Sequence, residues 1–419
     1  MTTSEPSFVW IWLPGASEPV VCGRIDAVVG EVRFTYAKSY RNRSDAIALQ
    51  PDDLPLRSGS QRPPIGLDAH GVIRDAAPDS WGMRVILRRL HGERATDPGE
   101  LDLVTYLRES GSNRIGALDF QDSPTDYRPR DSHGTLAELV VAGQSIANGQ
   151  PLSKELFDAL AYGTAVGGAR PKAVLVDTSG DAPRELIAKF SVSTDVYPWM
   201  EAEAVGMELA RRCGVDVART ELTSAAGRDV LLVERFDRPG DRQRRSVLSS
   251  LTLLGLNELA VQHGSYVELT DVIKRCFDDP TGTMHELFRR IVVNVLVGNT
   301  DDHPRNHAAF WDGEHLALTP AYDICPQPRD TGESTQGMKF GVDGLNASNL
   351  EACISAAAVY RLDPASARAI VDECSAVVHD SYDEVCRTLG VSDATHSLLW
   401  SKAIANPSVF YPFDSGNRA

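Results

Sequence analysis

Hydrophobic and polar positions alternate in two different rhythms along the chain. At the start, Phe8 to Leu13, Val20 to Asp26 and Glu31 to Ala37 alternate or run apolar at strand length, with Pro-Gly and Gly-Glu breaks between them, which predicts a small β-rich unit. Asp79 to Leu90 and Leu101 to Arg108 read as helices, and Arg114 to Phe120 as a strand. Residues 121 to 134 are polar and contain Pro124 and Pro129, the composition of a linker. Thr135-x-x-Glu138 is a capping-box pattern that opens a helix to Ile146, and Ser153 can cap another to Leu160. Strands follow at Ala173 to Val176, Glu185 to Phe190 and Asp229 to Glu234, with a helix from Pro198 to Gly214 between them. Beyond Pro239 the spacing is mostly helical: Leu248 to Leu259, Tyr266 to Phe277, Met284 to Val297, Asn349 to Val359, Pro364 to Val378, Asp380 to Leu389 and His396 to Ile404.

The interruption in that helical half carries the chemistry. A mostly apolar run stops at Gly298, and a polar loop holds Asp301 five residues before Asn306. A predicted hairpin, Ala308 to Trp311 and Leu316 to Leu318 about an Asp312-Gly313 turn, then leads to Asp323. Carboxylate, amide, hairpin, carboxylate is the order of oxygens that kinase-type phosphoryl transfer uses. One carboxylate takes the proton of the attacking hydroxyl, and the amide and second carboxylate hold magnesium against the ATP phosphates. Asp301 is thus the candidate base, with Asn306 and Asp323 the candidate magnesium ligands; the alternative is a polar turn whose side chains cap their own backbone.

The same chemistry asks for a glycine-rich loop, a strand lysine and a helical glutamate upstream, and the chain supplies them in order. Gly163 to Lys172 includes Gly167, Gly168, Ala169, Arg170, Pro171 and Lys172, and glycines let backbone amides approach an anion closely. Lys189 lies on the strand after the Thr178 to Asp181 turn, and Glu203 in the first two turns of the next helix, where it is a candidate partner for Lys189. Gly-x-x-x-x-Gly-Lys-Ser/Thr is absent, which removes a Walker-type loop. His303-x-x-x-His307 has metal-ligand spacing, but Pro304 lies between the two and no Glu follows the first, so a helical zinc pair is not expected.

Four blocks in order, Gly-Gly-Ala-Arg-Pro-Lys (167 to 172), Val-Glu-Arg-Phe-Asp-Arg (233 to 238), Thr-Asp-Asp-His-Pro-Arg-Asn (300 to 306) and Pro-Ala-Tyr-Asp-Ile (320 to 324), resemble the signatures of the HipA family of serine/threonine kinase toxins from type II toxin-antitoxin systems. Gly71 to Gly82 is similar to a further family block. The resemblance implies Asp301 as base, Asn306 and Asp323 as magnesium ligands, Lys189 on the ATP phosphates and Gly167 to Lys172 as the nucleotide loop. It further implies Glu234, Arg235 and Phe236 as the adenine-side hinge, with His303 and Tyr322 flanking the nucleotide. Where the family often has an autophosphorylated serine, this chain has Ala165 beside Thr164, and Asp302 occupies a position with no assigned role, so variation there is expected to be tolerated.

Composition narrows the setting. The chain has 419 residues, 42% hydrophobic and 24% charged, enough for two or three packed units. No run of about 18 apolar residues and no basic-then-apolar leader is readable, so no membrane span is expected. Seven scattered cysteines without a Cys-x-x-Cys fit a reducing cytoplasm. A net charge of −16 opposes direct attraction to nucleic acid, and short basic groups such as Arg289-Arg290 are expected to be solvated faces.

The fold expected is α+β, a protein-kinase-like bilobal architecture: an N-terminal β-rich subdomain over 1–125, a kinase N-lobe over 126–238, and a helical C-lobe over 239–419. The expected activity is ATP- and magnesium-dependent transfer to a protein hydroxyl. The resemblance implies a translation-factor substrate such as an aminoacyl-tRNA synthetase, and a small HipB-like helix-turn-helix antitoxin through which alone DNA would be contacted. A catalytically weak corepressor and a small-molecule kinase on the same fold remain the alternatives.

Overall fold

The computed structural model describes residues 5–92, 97–131, 134–161, 170–178, 180, 183–240, 242–329 and 332–413. They form two compact units, one of residues 1–195, 223–248 and 310–314, the other of 196–222, 249–309 and 315–419. The boundary expected near 125 falls inside the first unit, and the helix bearing Glu203 belongs to the second.

In the first unit, Ser60–Gln61, Glu31–Tyr36, Val20–Val28, Ser7–Ile11 and Leu118–Gln121 form one antiparallel sheet in that order. Period-2 alternation sends Val32, Phe34 and Tyr36 inward. A second sheet pairs Lys172–Asp177 with Arg184–Phe190 and the latter with Arg228–Glu234, both antiparallel. Ala226 and Gly227, at φ 49° and 72°, make the turn into its last strand with the left-handed pair that hairpins favour. Ala173, Ala188, Phe190 and Val230 of this sheet share one core with Trp81, Val85 and Ile86 of the Ser80–His91 helix and with Leu139, Ile146 and Leu160. The capping box is present as predicted, Thr135 and Glu138 each bonding the other's backbone.

Residues 121–131 are not a linker. Trp10 Nε1 donates to Ser123 O at 3.0 Å, Tyr127 Oη to Asp119 at 2.9 Å, and Arg130 is in an ion pair with Asp119 at 3.2 Å. Most of the segment faces solvent, as its composition suggests, but half-buried Tyr127 and Arg130 reach inward to the buried Asp119 carboxylate and hold it to the sheet. Arg114, fully enclosed, completes the Asp119 cluster at 3.2 Å. A neighbouring cluster centres on Asp237, which accepts from Arg235 and Arg238 at 2.8 Å each and from Gly116 N at 2.8 Å. Burial raises the Asp237 pKa and the two guanidiniums more than reverse it, holding the carboxyl well below its ordinary range.

The second unit is helical around Pro280–Val297, which Asp279 caps through Gly282 N at 2.9 Å. Ile291, Val292, Val293, Val295, Leu296 and Val297 are all buried, so its last turns are enclosed on every side. Pro364–Leu389 packs against it and against Trp199–Arg212. Three expectations change here. Pro364–Leu389 is one helix, since no Gly or Pro interrupts it near Asp380. Leu248 to Leu259 is instead the end of a strand, Ser246–Ser249, a short helix, Ser250–Leu253, and the start of a 3-10 segment, Glu258–His263, separated by caps at Ser249 and Asn257 and by Gly255 at φ 65°. Arg290 is buried: it donates to Thr319 O at 2.8 Å and bonds Glu286 at 2.9 Å. Among the described residues no helix is long and apolar enough to cross a membrane.

Candidate functional site

In the second unit the central helix ends at Gly298, φ 75°, where a methyl group would stand 2.7 Å from Ala403 O, so only glycine fits. Asn299 anchors the exit by donating to Asn294 Oδ1 at 3.1 Å. The chain then runs through Asp301, exposed, and His303, half-buried, into the 3-10 turn Pro304–Asn306, where Asn306 is buried. Partial enclosure of the Asp301 carboxyl raises its pKa; His303 opposes this, and the charges of Asp323 and Asp302 add to it. Asp301 and Asp323, 22 positions apart in sequence, are thus electrostatic neighbours in one unit.

What brings Asp323 there is main chain. Ala321 N donates to Asp216 O at 2.7 Å and Ala218 N to Ala321 O at 2.8 Å, while Arg290 holds Thr319 O. Tyr322 Oη donates to Arg305 O at 2.7 Å, tying this segment to the turn that carries Asn306. Asp323 itself has φ 61°, a left-handed backbone uncommon outside glycine, of the kind that collects at functional sites. Glu203, buried, lies on Trp199–Arg212 three residues before Gly206, where a methyl group would meet Ile324 O at 2.3 Å. Two further glycines allow equally close approach: a methyl at Gly264 would stand 2.1 Å from Pro304 Cγ, and at Gly337 2.4 Å from Asp302 O.

In the first unit Lys189 lies on Arg184–Phe190, where Leu186, Ala188 and Phe190 turn to the core and Lys189 to the other face. Lys172, its cross-strand partner, is buried, with Nζ 2.6 Å from Asp79. Arg170 bonds Asp195 at 2.9 Å, and Pro171 O accepts from Phe190 N at 3.0 Å. Glu234 lies 3.7 Å from Arg184. Arg235 is buried against Asp237, its N–H donating to Glu185 O at 2.9 Å, and Phe236 meets Phe310 edge-on at 5.7 Å. The charged heads of Lys172, Arg170 and Arg235 are therefore engaged within the protein. Gly167, Gly168 and Ala169, with Thr164 and Ala165, lie outside the described residues.

Sequence reasoning left Asp302 without a role and gave no sign that it is buried and bonded, which is what the structure shows. Asp302 is 2% exposed and bonded to Tyr266 and His307, which are as deeply buried. Desolvation and the Asp302 charge push the Tyr266 hydroxyl far above its ordinary pKa, keeping it a donor. The ring of His307 is turned to these two groups.

A β-sheet unit with a strand lysine and a helical unit bearing a carboxylate–amide loop and a second carboxylate define an α+β, protein-kinase-like fold. The HipA-like C-terminal domain family matches residues 164–381, and this chain belongs to the HipA family. The serine/threonine-protein kinase toxin HipA of Shewanella oneidensis is 27% identical over 334 residues, covering 71% of this chain and 73% of that protein. Y4mE of Sinorhizobium fredii is 29% identical over 321 residues, 70% of this chain and 72% of its own. The fold is shared across 93% of this chain and 94% of the HipA chain in the Shewanella oneidensis complex of HipA, HipB and operator DNA, with a TM-score of 0.64 at 17% identity.

Proposed function

We propose that this protein is an ATP- and magnesium-dependent serine/threonine protein kinase of toxin type. The observation that carries the reading is the Tyr322 hydrogen bond that ties the Asp323 segment to the turn carrying Asn306, with the Asp323 charge felt at Asp301 in the same unit. Three oxygen-bearing side chains with two neighbouring carboxylates suit a hard divalent cation, which relieves their mutual repulsion. Bound magnesium-ATP supplies the transferable phosphoryl group and a charge that neutralises it. Asn306 and Asp323 offer oxygens to the metal. Asp301, exposed and more basic than an ordinary carboxylate, accepts the proton of the attacking hydroxyl. Lys189 is assigned to the phosphates, and residues 167–172 to the nucleotide loop, where main-chain amides rather than the engaged side chains of Arg170 and Lys172 do the binding. Glu234, Arg235 and Phe236 serve the adenine side through main chain and ring, and His303 and Tyr322 flank the nucleotide.

The acceptor is a protein hydroxyl, on a translation factor such as an aminoacyl-tRNA synthetase, and phosphorylation arrests growth. A small DNA-binding antitoxin of the HipB kind neutralises the toxin, a reading supported by the Shewanella oneidensis assembly of HipA with HipB and operator DNA. The test is expression of the chain alone beside Asp301→Asn and Asp323→Asn. Growth arrest by the unaltered chain only, with new phosphoserine or phosphothreonine on a cellular protein, is expected. Harmless expression, or arrest by all three, overturns the toxin-kinase reading.

A further inference from the structure

We propose that Asp302, His307 and Tyr266 form a buried positioning triad that fixes Asp301 and Asn306 for phosphoryl transfer. The inference rests on the kinase reading above and adds residues to it.

The three side chains bond one another through the Tyr266 hydroxyl, the Asp302 carboxylate and His307 Nε2, while His307 Nδ1 is buried outside this set of contacts. The Tyr266 hydroxyl donates to Asp302 Oδ2, and His307 Nε2 lies 2.8 Å from Asp302 Oδ1 and 2.8 Å from the Tyr266 oxygen. The Tyr266 and His307 rings meet edge-on with centroids 5.0 Å apart. With the Tyr266 hydroxyl proton directed at Asp302, a proton on His307 Nε2 can be shared between the carboxylate and the tyrosine oxygen, so one arrangement makes all three contacts. None of the three side chains has been assigned a contact with nucleotide or acceptor.

Their place in the chain is what gives them a task. Asp302 is the immediate neighbour of the candidate base, and His307 of the candidate ligand Asn306. Asp301 is exposed while Asp302 is buried, so the triad grips the inner side of the loop whose outer side presents the carboxylate. Tyr266 begins the Tyr266–Cys276 helix, capped by Ser265, and its amide donates to Lys339 O at 2.8 Å. Gly337, two residues earlier, lies flat against the Asp302 carbonyl, and His307 O accepts from Ser250 N at 2.7 Å. The loop ends are therefore referred to fixed elements through buried polar contacts, and a catalytic group held this way loses rate steeply when displaced.

The experiment uses the full chain with ATP and magnesium and measures ADP release, together with binding of AMP-PNP plus magnesium by calorimetry. Tyr266→Phe and His307→Ala are expected to lower kcat roughly tenfold to a hundredfold, with the KM for ATP within about twofold and one AMP-PNP site per chain. His307→Gln, which keeps an amide donor near the Nε2 position, is expected to recover most of the rate, a recovery that packing alone does not produce. If Tyr266→Phe and His307→Ala turn over ATP at the unaltered rate, or if the AMP-PNP stoichiometry falls with kcat, the triad serves folding only and the proposal is overturned. Asp301→Asn separates the two levels: equal ADP release by it and by the unaltered chain defeats the kinase reading itself.

Discussion

Gly206→Ala sets two effects of opposite sign against each other. Within a helix, alanine is favoured over glycine by about 1 kcal/mol, so on local grounds the substitution stabilises Trp199–Arg212. Here the new methyl group would stand 2.3 Å from Ile324 O and 2.8 Å from Pro326 Cδ, a carbonyl and a proline ring that cannot rotate away. The opposing segment is also held from behind: Tyr197 Oη donates to Pro326 O at 2.9 Å and Gln327 N to Gly298 O at 3.0 Å. Overpacking into such a contact costs about 2–3 kcal/mol, leaving a net loss of about 1–2 kcal/mol. At roughly 2–4 °C per kcal/mol for a unit of this size, the melting temperature should fall by about 2–8 °C. Because Ile324 follows Asp323, magnesium-dependent AMP-PNP affinity should fall with it, which calorimetry reads directly. A melting temperature at or above that of the unaltered chain would refute the close approach of helix and loop.

Asp79→Ala removes both a helix cap and one side of a buried ion pair with Lys172, and should destabilise the first unit by about 3 kcal/mol in urea titration, the low end of the range for breaking such a pair. Gly337→Ala should weaken ATP turnover more than it weakens folding, since the added methyl meets the Asp302 carbonyl; equal loss in both, by kinetics and thermal melting, would count against it. Asp237 has a folded pKa below its unfolded value of about 3.9, so its stabilisation is fully present above that pH and is lost as pH falls towards the folded value. Fluorescence-monitored acid titration should accordingly show the first unit of Asp237→Asn weaker at neutral pH and less acid-sensitive below about pH 4.

The order Asp301, Asn306, hairpin, Asp323 was readable because a short loop and a two-strand turn fix it locally. So were the capping box at Thr135 and the Pro280–Val297 helix, although its start lay four residues before the expected Met284. Tyr266 and Asp302 meet across 36 positions, and nothing in helix or strand periodicity announces such a contact. Polar composition misled twice for one reason: Arg130 in the expected linker and Arg290 in the expected solvated pair both donate to main-chain carbonyls of the protein, Phe120 O and Thr319 O. Composition reports that a group needs a polar partner, and not whether water or protein supplies it.

Gly206, Gly264 and Gly337 press main chain against the Ile324, Pro304 and Asp302 positions with no room for a single carbon. A side chain at any of the three would push on the loop that bears Asp301, Asn306 and Asp323, so their smallness is a way of setting loop position from outside the loop.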